Sequence, residues 1–337
     1  MKEASFYKKK DGKVVECLLC RHHCIVTDGS AGICGVRENS GGVLYARTYG
    51  LPCASHVDPI EKKPLFHFYP GSRAFSIATL GCNFQCLHCQ NHDISQAPRE
   101  EARIFGEEMT PDEVVASAAR DHCTSISYTY TEPTVFFEYA YDIARLAKER
   151  GIENNFVTNG YIEEAPLRLI RPYLDAANID LKGFTESFYR KVCKADLPKV
   201  LDTIKLYRDL GIWIELTTLI IPGHNDSEDE LKAMAGFIAG EVGVGTPWHV
   251  SAFYPTYKLL DVERTGREAL ERARQIGLDE GLRYVYEGNL PGSDGENTYC
   301  YNCGKVVIGR HGYTVTDYNL NGGVCRFCGS IIDGVGL

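Results

Sequence analysis

The chain predicts an α/β fold, a partial (β/α)6 barrel of TIM type with a small cysteine-rich, metal-binding module at each end. Two observations carry that expectation. Between residues 71 and 290, short β-branched or apolar runs alternate with helical periods, a pattern that gives right-handed crossovers and a parallel sheet. On either side of this stretch the cysteines fall into tight groups with metal-ligand spacing. The expected organisation is an N-terminal module over 1–70, the barrel over 71–290 and a C-terminal module over 291–337.

The first module holds Cys17, Cys20, Cys24 and Cys34, spaced CxxCxxxCx9C among turn formers such as Asp28-Gly29-Ser30 and Gly41-Gly42. Four thiols at these separations suit either a tetrahedral zinc or a second, fully ligated iron–sulfur cluster. The stretch from Asp58 to Gly71, rich in prolines, aromatics and charges, reads as an ordered connection to the first barrel strand.

That strand, Ala74 to Leu80, ends at Gly81 and runs into Cys82, Cys86 and Cys89, spaced CxxxCxxC. Three thiolates this close can converge on one soft metal centre while leaving a coordination position open, which marks a centre that does chemistry. Further strands are expected at 125–130, 155–158, 177–180, 213–221 and 248–253, with a short one at 284–286. Helices fall between them. Thr110-Pro111 and Ser227 supply starts, and Gly151 supplies a stop. In such barrels the working residues gather at the C-terminal ends of strands. Here those ends carry Glu132, Thr158-Asn159, Asp180-Leu181-Lys182 and, on the sixth strand, His249.

From Pro291-Gly292-Ser293 onward the chain carries Cys300-x-x-Cys303 and Cys325-x-x-Cys328, each pair followed by glycine. Two such knuckles form a zinc ribbon or a rubredoxin-like iron site, with structural zinc leading because so short a module needs a staple.

Composition narrows the functional classes. Of 337 residues 44% are hydrophobic and 24% charged, which gives a packed core, and no run approaches the ~20 apolar residues of a membrane span. The N-terminus lacks an apolar export core, so the fourteen cysteines read as ligands and thiols rather than disulfides, and the expected location is cytoplasmic. A net charge of -9 argues against a general nucleic-acid footprint, though not against a local basic groove.

The CxxxCxxC loop after a strand and a glycine resembles the signature of radical S-adenosylmethionine (radical SAM) enzymes. Thr131-Glu132-Pro133, Thr158-Asn159-Gly160 and Asp180-Leu181-Lys182 are similar to motifs of its pyruvate formate-lyase activating enzyme branch. Over almost the full length, including Asp58 to Leu65 and both flanking cysteine groups, the chain resembles the radical SAM enzymes of the AmmeMemoRadiSam system. The resemblance implies a 4Fe–4S cluster on Cys82, Cys86 and Cys89, with S-adenosylmethionine on its open iron. Reductive cleavage would then yield a 5′-deoxyadenosyl radical that abstracts hydrogen from a protein, RNA or small molecule. It also implies a reductant such as flavodoxin or ferredoxin, and carries over Glu132, Thr158, Asn159, Asp180, Lys182 and His249 as cofactor contacts. A glycyl-radical-enzyme activase is one version of this function. The opposing class is a non-catalytic metal-binding or electron-transfer protein. Three residues depart from the branch: Thr131 replaces a glycine, Val157 an acidic residue, and His88 the usual aromatic before the third cysteine.

Overall fold

The computed structural model describes residues 1–290 and 292–337; Pro291, which opens the expected linker, lies outside the described residues. The chain divides into two compact units, neither continuous in sequence. One contains Met1–Asp58, Arg73–Ala177 and Lys199–Ile212, and the other Pro59–Ser72, Asn178–Pro198 and Trp213–Leu337.

The first unit begins its βα series with β1 (Arg73–Ala78), α1 (Pro111–Arg120), β2 (Ser125–Tyr128), α2 (Phe137–Glu149) and β3 (Glu153–Thr158). The strands are parallel: Ala74 lies opposite Ser125 and Ile77 opposite Tyr128, while Tyr128 in turn faces Phe156. Parallel strands are covered on both faces, which is why β1 is buried from Ala74 to Ala78 and β2 along its whole length. A full capping box starts α1, with Thr110 accepting from the Glu113 amide and Glu113 reaching back. After β3 come α3 (Glu164–Ile170), then β4 (Ala176–Asp180), which carries residues of both units, and α4 (Leu197–Asp209).

In the second unit β5 (Trp213–Ile220), α5 (Glu228–Phe237), β6 (Trp248–Ala252), α6 (Arg267–Asp279) and β7 (Val285–Gly288) complete the series. Leu216 faces Trp248, and Trp248 faces Val285, again in parallel register. Ser227 caps α5 as expected, its hydroxyl accepting from the Glu230 amide. The series therefore has six strand–helix repeats, β1–α1 to β6–α6, as the alternation predicts.

Two small antiparallel sheets precede this series, and the sequence reading did not anticipate them. One pairs Val43–Ala46 with Lys2–Glu3 and Arg37–Ser40, the other pairs Val15–Cys17 with Tyr7–Lys9 and Ile25–Val26. Strands of two to four residues show too few alternations to stand out from turns.

The C-terminal residues add the antiparallel strands Val306–His311 and Thr314–Tyr318. Val307, Ile308, Cys300 and Cys325 share one apolar cluster with Tyr284, Tyr286 of β7 and Phe66. A polar network lies within the same unit. The Glu215 carboxylate accepts from the His67 and Phe66 amides at 2.7 and 2.9 Å. His67 Nδ1 lies 2.6 Å from the Asp333 carbonyl, so the neutral ring donates there and its Nε2 accepts from the Tyr286 hydroxyl.

Burial holds the His67 imidazole down at about 4. In the unfolded chain the ring titrates near 6.5, so between these values the unfolded state binds the extra proton. Stability conferred by the neutral ring is complete above 6.5 and lost as pH falls toward 4, at up to about 1.4 kcal/mol per pH unit. Urea unfolding between pH 7 and 4 is expected to show this slope in the native chain. In His67→Gln the slope should flatten by about one proton, and an identical slope would refute the assignment.

Candidate active site

Gly81 turns the chain out of β1 into the cysteine loop, with φ +99°. A Cβ there would meet Val36 Cγ1 at 2.7 Å and the Cys34 carbonyl at 2.9 Å, so both conformation and space require glycine. Beyond it, Cys82 Sγ accepts from the Phe84 amide at 3.3 Å, and Cys89 Sγ lies 3.2 Å from Ser95 Oγ. Burial pushes the Cys82 thiol well up, and the Glu132 carboxylate and the Cys86 and Cys89 thiols act in the same direction. A soft cation reverses that balance, because ligation needs the thiolate.

The spread of the sulfurs bears on what they can hold. Among the described residues, only Cys300, Cys303, Cys325 and Cys328 form a group whose ligand atoms all lie within 4.8 Å of one another. Cys82, Cys86 and Cys89 are thus not drawn together for a single ion. Three thiolates on one loop would suit a polynuclear iron–sulfur cluster with one iron left unligated by protein.

Glu132, at the end of β2, lies beside this loop. Its Oε1 accepts from the Thr134 amide at 2.9 Å, the Thr134 hydroxyl at 2.6 Å and the Thr158 hydroxyl at 2.8 Å. Its Oε2 accepts from the Asn159 amide at 2.8 Å and retains capacity for a second donor. Burial raises the Glu132 carboxyl, and these bonds from Asn159, Thr134 and Thr158 oppose that shift. Asn159 Nδ2 also donates to Asn83 Oδ1 at 2.7 Å and reaches Cys82 Sγ at 3.8 Å. The structure therefore brings Cys82, Glu132, Thr158 and Asn159 into one network. Glycine is not what the turn before Glu132 uses: the left-handed residue is Tyr130, with φ +63°.

The remaining strand-end candidates lie in the second unit. Lys182 Nζ binds Asp180 Oδ2 at 2.8 Å, with side chains 17% and 33% exposed. His249 is 3% exposed; its Nε2 lies 2.7 Å from Glu215 Oε2, and its ring stacks on Tyr286. The sequence reading marked His249 but not Glu215, whose role emerges only when β5 and β6 pair.

The two flanking cysteine groups differ in geometry. At the C-terminus, Cys300 and Cys328 sulfurs are 3.6 Å apart and those of Cys303 and Cys325 3.9 Å. Four bonds of about 2.3 Å to one tetrahedral zinc would set sulfurs about 3.8 Å apart, so this group fits a single ion. At the N-terminus, Cys17, Cys20, Cys24 and Cys34 line one small cavity of about 20 Å³.

Asn83, Thr134, Arg37 and Glu138 are functional or supporting residues that the sequence reading missed. Asn83 sits inside the CxxxCxxC motif and Thr134 two residues after Glu132, so their positions were signals; Arg37 and Glu138 had none, since they are partners 101 residues apart.

The sequence profile of the Radical SAM superfamily matches residues 76–238. An uncharacterized protein of Methanocaldococcus jannaschii is 52% identical over 335 residues, 99% of each chain. The pyruvate formate-lyase-activating enzyme of Clostridium pasteurianum is 23% identical over 222 residues, covering 61% of this chain and 89% of that one. Among solved structures, a radical SAM methyltransferase from Sphaerobacter thermophilus is similar in fold with a TM-score of 0.51. Its identity is 15%, and the match covers 65% of this chain and 67% of that one.

Proposed function

Because the chain belongs to the radical SAM superfamily and is one of its enzymes, we infer that it cleaves S-adenosylmethionine reductively and abstracts hydrogen from a substrate. The supporting observation is the set of three thiols on the loop after β1, joined through Asn159 to the buried Glu132 carboxylate. Bound there, a 4Fe–4S cluster and S-adenosylmethionine supply a 5′-deoxyadenosyl radical.

Cys82, Cys86 and Cys89 would hold the cluster as thiolates. Asn159 Nδ2 steadies the Cys82 sulfur, and the open acceptor position on Glu132 Oε2 suits an ammonium group. Thr134, Thr158 and the Asn159 amide fix that carboxylate in one orientation. Asp180 and Lys182 offer an acceptor for hydroxyls and a cation for a carboxylate; these two, and His249 with them, follow from the motif pattern. A low-potential carrier such as flavodoxin or ferredoxin supplies the electron. The C-terminal four-cysteine group takes one zinc or iron ion.

A second reading is activation of a glycyl-radical enzyme. It is favoured by relatives of that description, among them a putative glycyl-radical enzyme activating enzyme of M. jannaschii, 25% identical over 61% of this chain.

Anaerobic reconstitution followed by reduction with dithionite in the presence of S-adenosylmethionine is expected to release 5′-deoxyadenosine and methionine. A chain that carries the cluster yet yields neither product would overturn the proposal.

A further inference from the structure

The N-terminal cavity has the features of a second iron–sulfur site. Its wall is formed by Cys17, Cys20, Cys24 and Cys34 together with Arg37 and Asn83. The backbone is built for such a knuckle. The Cys17 amide donates to the Cys24 carbonyl at 2.9 Å, and a tight turn closes from the Gly35 amide to Gly32 at 2.9 Å, with Gly35 at φ +74°. None of the four cysteines is in a disulfide.

Sulfur spacing separates the two candidate occupants. A single tetrahedral zinc would draw the sulfurs to about 3.8 Å of each other. The C-terminal group shows what that looks like in this same chain, at 3.6 and 3.9 Å. No three of the N-terminal thiols are gathered within 4.8 Å, although all four face one space. A wider, polynuclear centre fits that spread.

The cavity also holds unmet hydrogen-bond donors. Arg37 is 2% exposed and binds Glu138 through Nη2, yet its Nε and Nη1 have no hydrogen-bond partner among the described residues. Asn83 Nδ2, equally buried, has none either. Buried donors left in this state are costly, more so where charged, unless an acceptor is supplied. Thiolate and sulfide sulfurs on an anionic cluster are such acceptors.

We propose that Cys17, Cys20, Cys24 and Cys34 bind a second iron–sulfur cluster, fully ligated by the protein and hydrogen bonded by Arg37 and Asn83. With four protein thiolates it offers no open iron, so it is distinct in kind from the centre on Cys82, Cys86 and Cys89, whose assignment the proposal takes as its premise. Asn83 joins the two places. It lines the N-terminal cavity, while its Oδ1 accepts from the same Asn159 amide group that reaches Cys82 Sγ.

The test is acid-labile sulfide and metal content of the full chain, reconstituted anaerobically with iron, sulfide and zinc present. The native chain should carry more than the roughly four sulfides of one cubane. The triple variant Cys82→Ala, Cys86→Ala, Cys89→Ala should keep sulfide and an iron–sulfur electron paramagnetic resonance signal on reduction. Adding Cys24→Ala to it should remove both. Two zinc ions per chain, with only about four sulfides in the native protein, would overturn the proposal without reference to any variant. Sulfide that survives Cys24→Ala in the triple background would also overturn it. Equal sulfide in the native chain and the triple variant would support this site and remove the one on Cys82 instead.

Discussion

Replacing Cys82 with alanine lowers 5′-deoxyadenosine formation at least about a thousandfold, equivalent to about 4 kcal/mol of lost transition-state stabilisation. The Glu132 network reaches Cys82 through Asn159 Nδ2. Without it two thiolates remain on the loop, and the position beside Glu132 has no ligand. The effect is set by the thiolate, so Cys82→Ser, a poor soft-metal ligand of nearly the same size, should fail equally. Chromatographic assay of 5′-deoxyadenosine and methionine measures the outcome, and circular dichroism confirms that both variants fold. If either variant retained a tenth of the native rate, the cysteine loop would not be the cluster site.

The largest stability effect is expected at Glu138. Its Oε2 pairs with the Arg37 guanidinium and its Oε1 accepts from the Ser5 amide at 2.8 Å, with both charged side chains 2% exposed. Glu138→Ala leaves a buried cation without its counter-charge and a backbone amide without its acceptor. Breaking such a pair from one side costs about 3–5 kcal/mol, far more than the pair contributes over an apolar replacement. Arg145 and Glu149 form a comparison pair, an exposed i,i+4 bridge at 2.7 Å, where Arg145→Ala should cost about 0.5 kcal/mol or less. Urea unfolding of the two variants side by side checks the difference. Similar losses in both would mean that water reaches the Arg37–Glu138 pair.

Most of the architecture was legible in the residues because the strands, largely buried as at β1 and β2, read as short β-branched or apolar runs between helical periods. Thr110 and Ser227 marked helix starts that the structure confirms through side-chain caps. The short N-terminal sheets were not legible, and neither was the partnership of Glu215 with His249 and His67, residues 34 and 148 positions away. Glu132 was visible as a strand-end carboxylate. Its hold by Thr158 and Asn159 was not, because that depends on β2 and β3 lying in parallel register.

The amino-acid order by itself determined the succession of six strand–helix repeats and the three cysteine groups, since periodicity and ligand spacing are local properties of a chain. Only tertiary structure decided which sulfurs close on one atom, as at Cys300 to Cys328, and which stand apart, as around Arg37. The physical reason lies in the turns. A Cys-x-x-Cys step permits both separations, and the choice belongs to backbone dihedrals and to buried partners brought in from elsewhere in the chain.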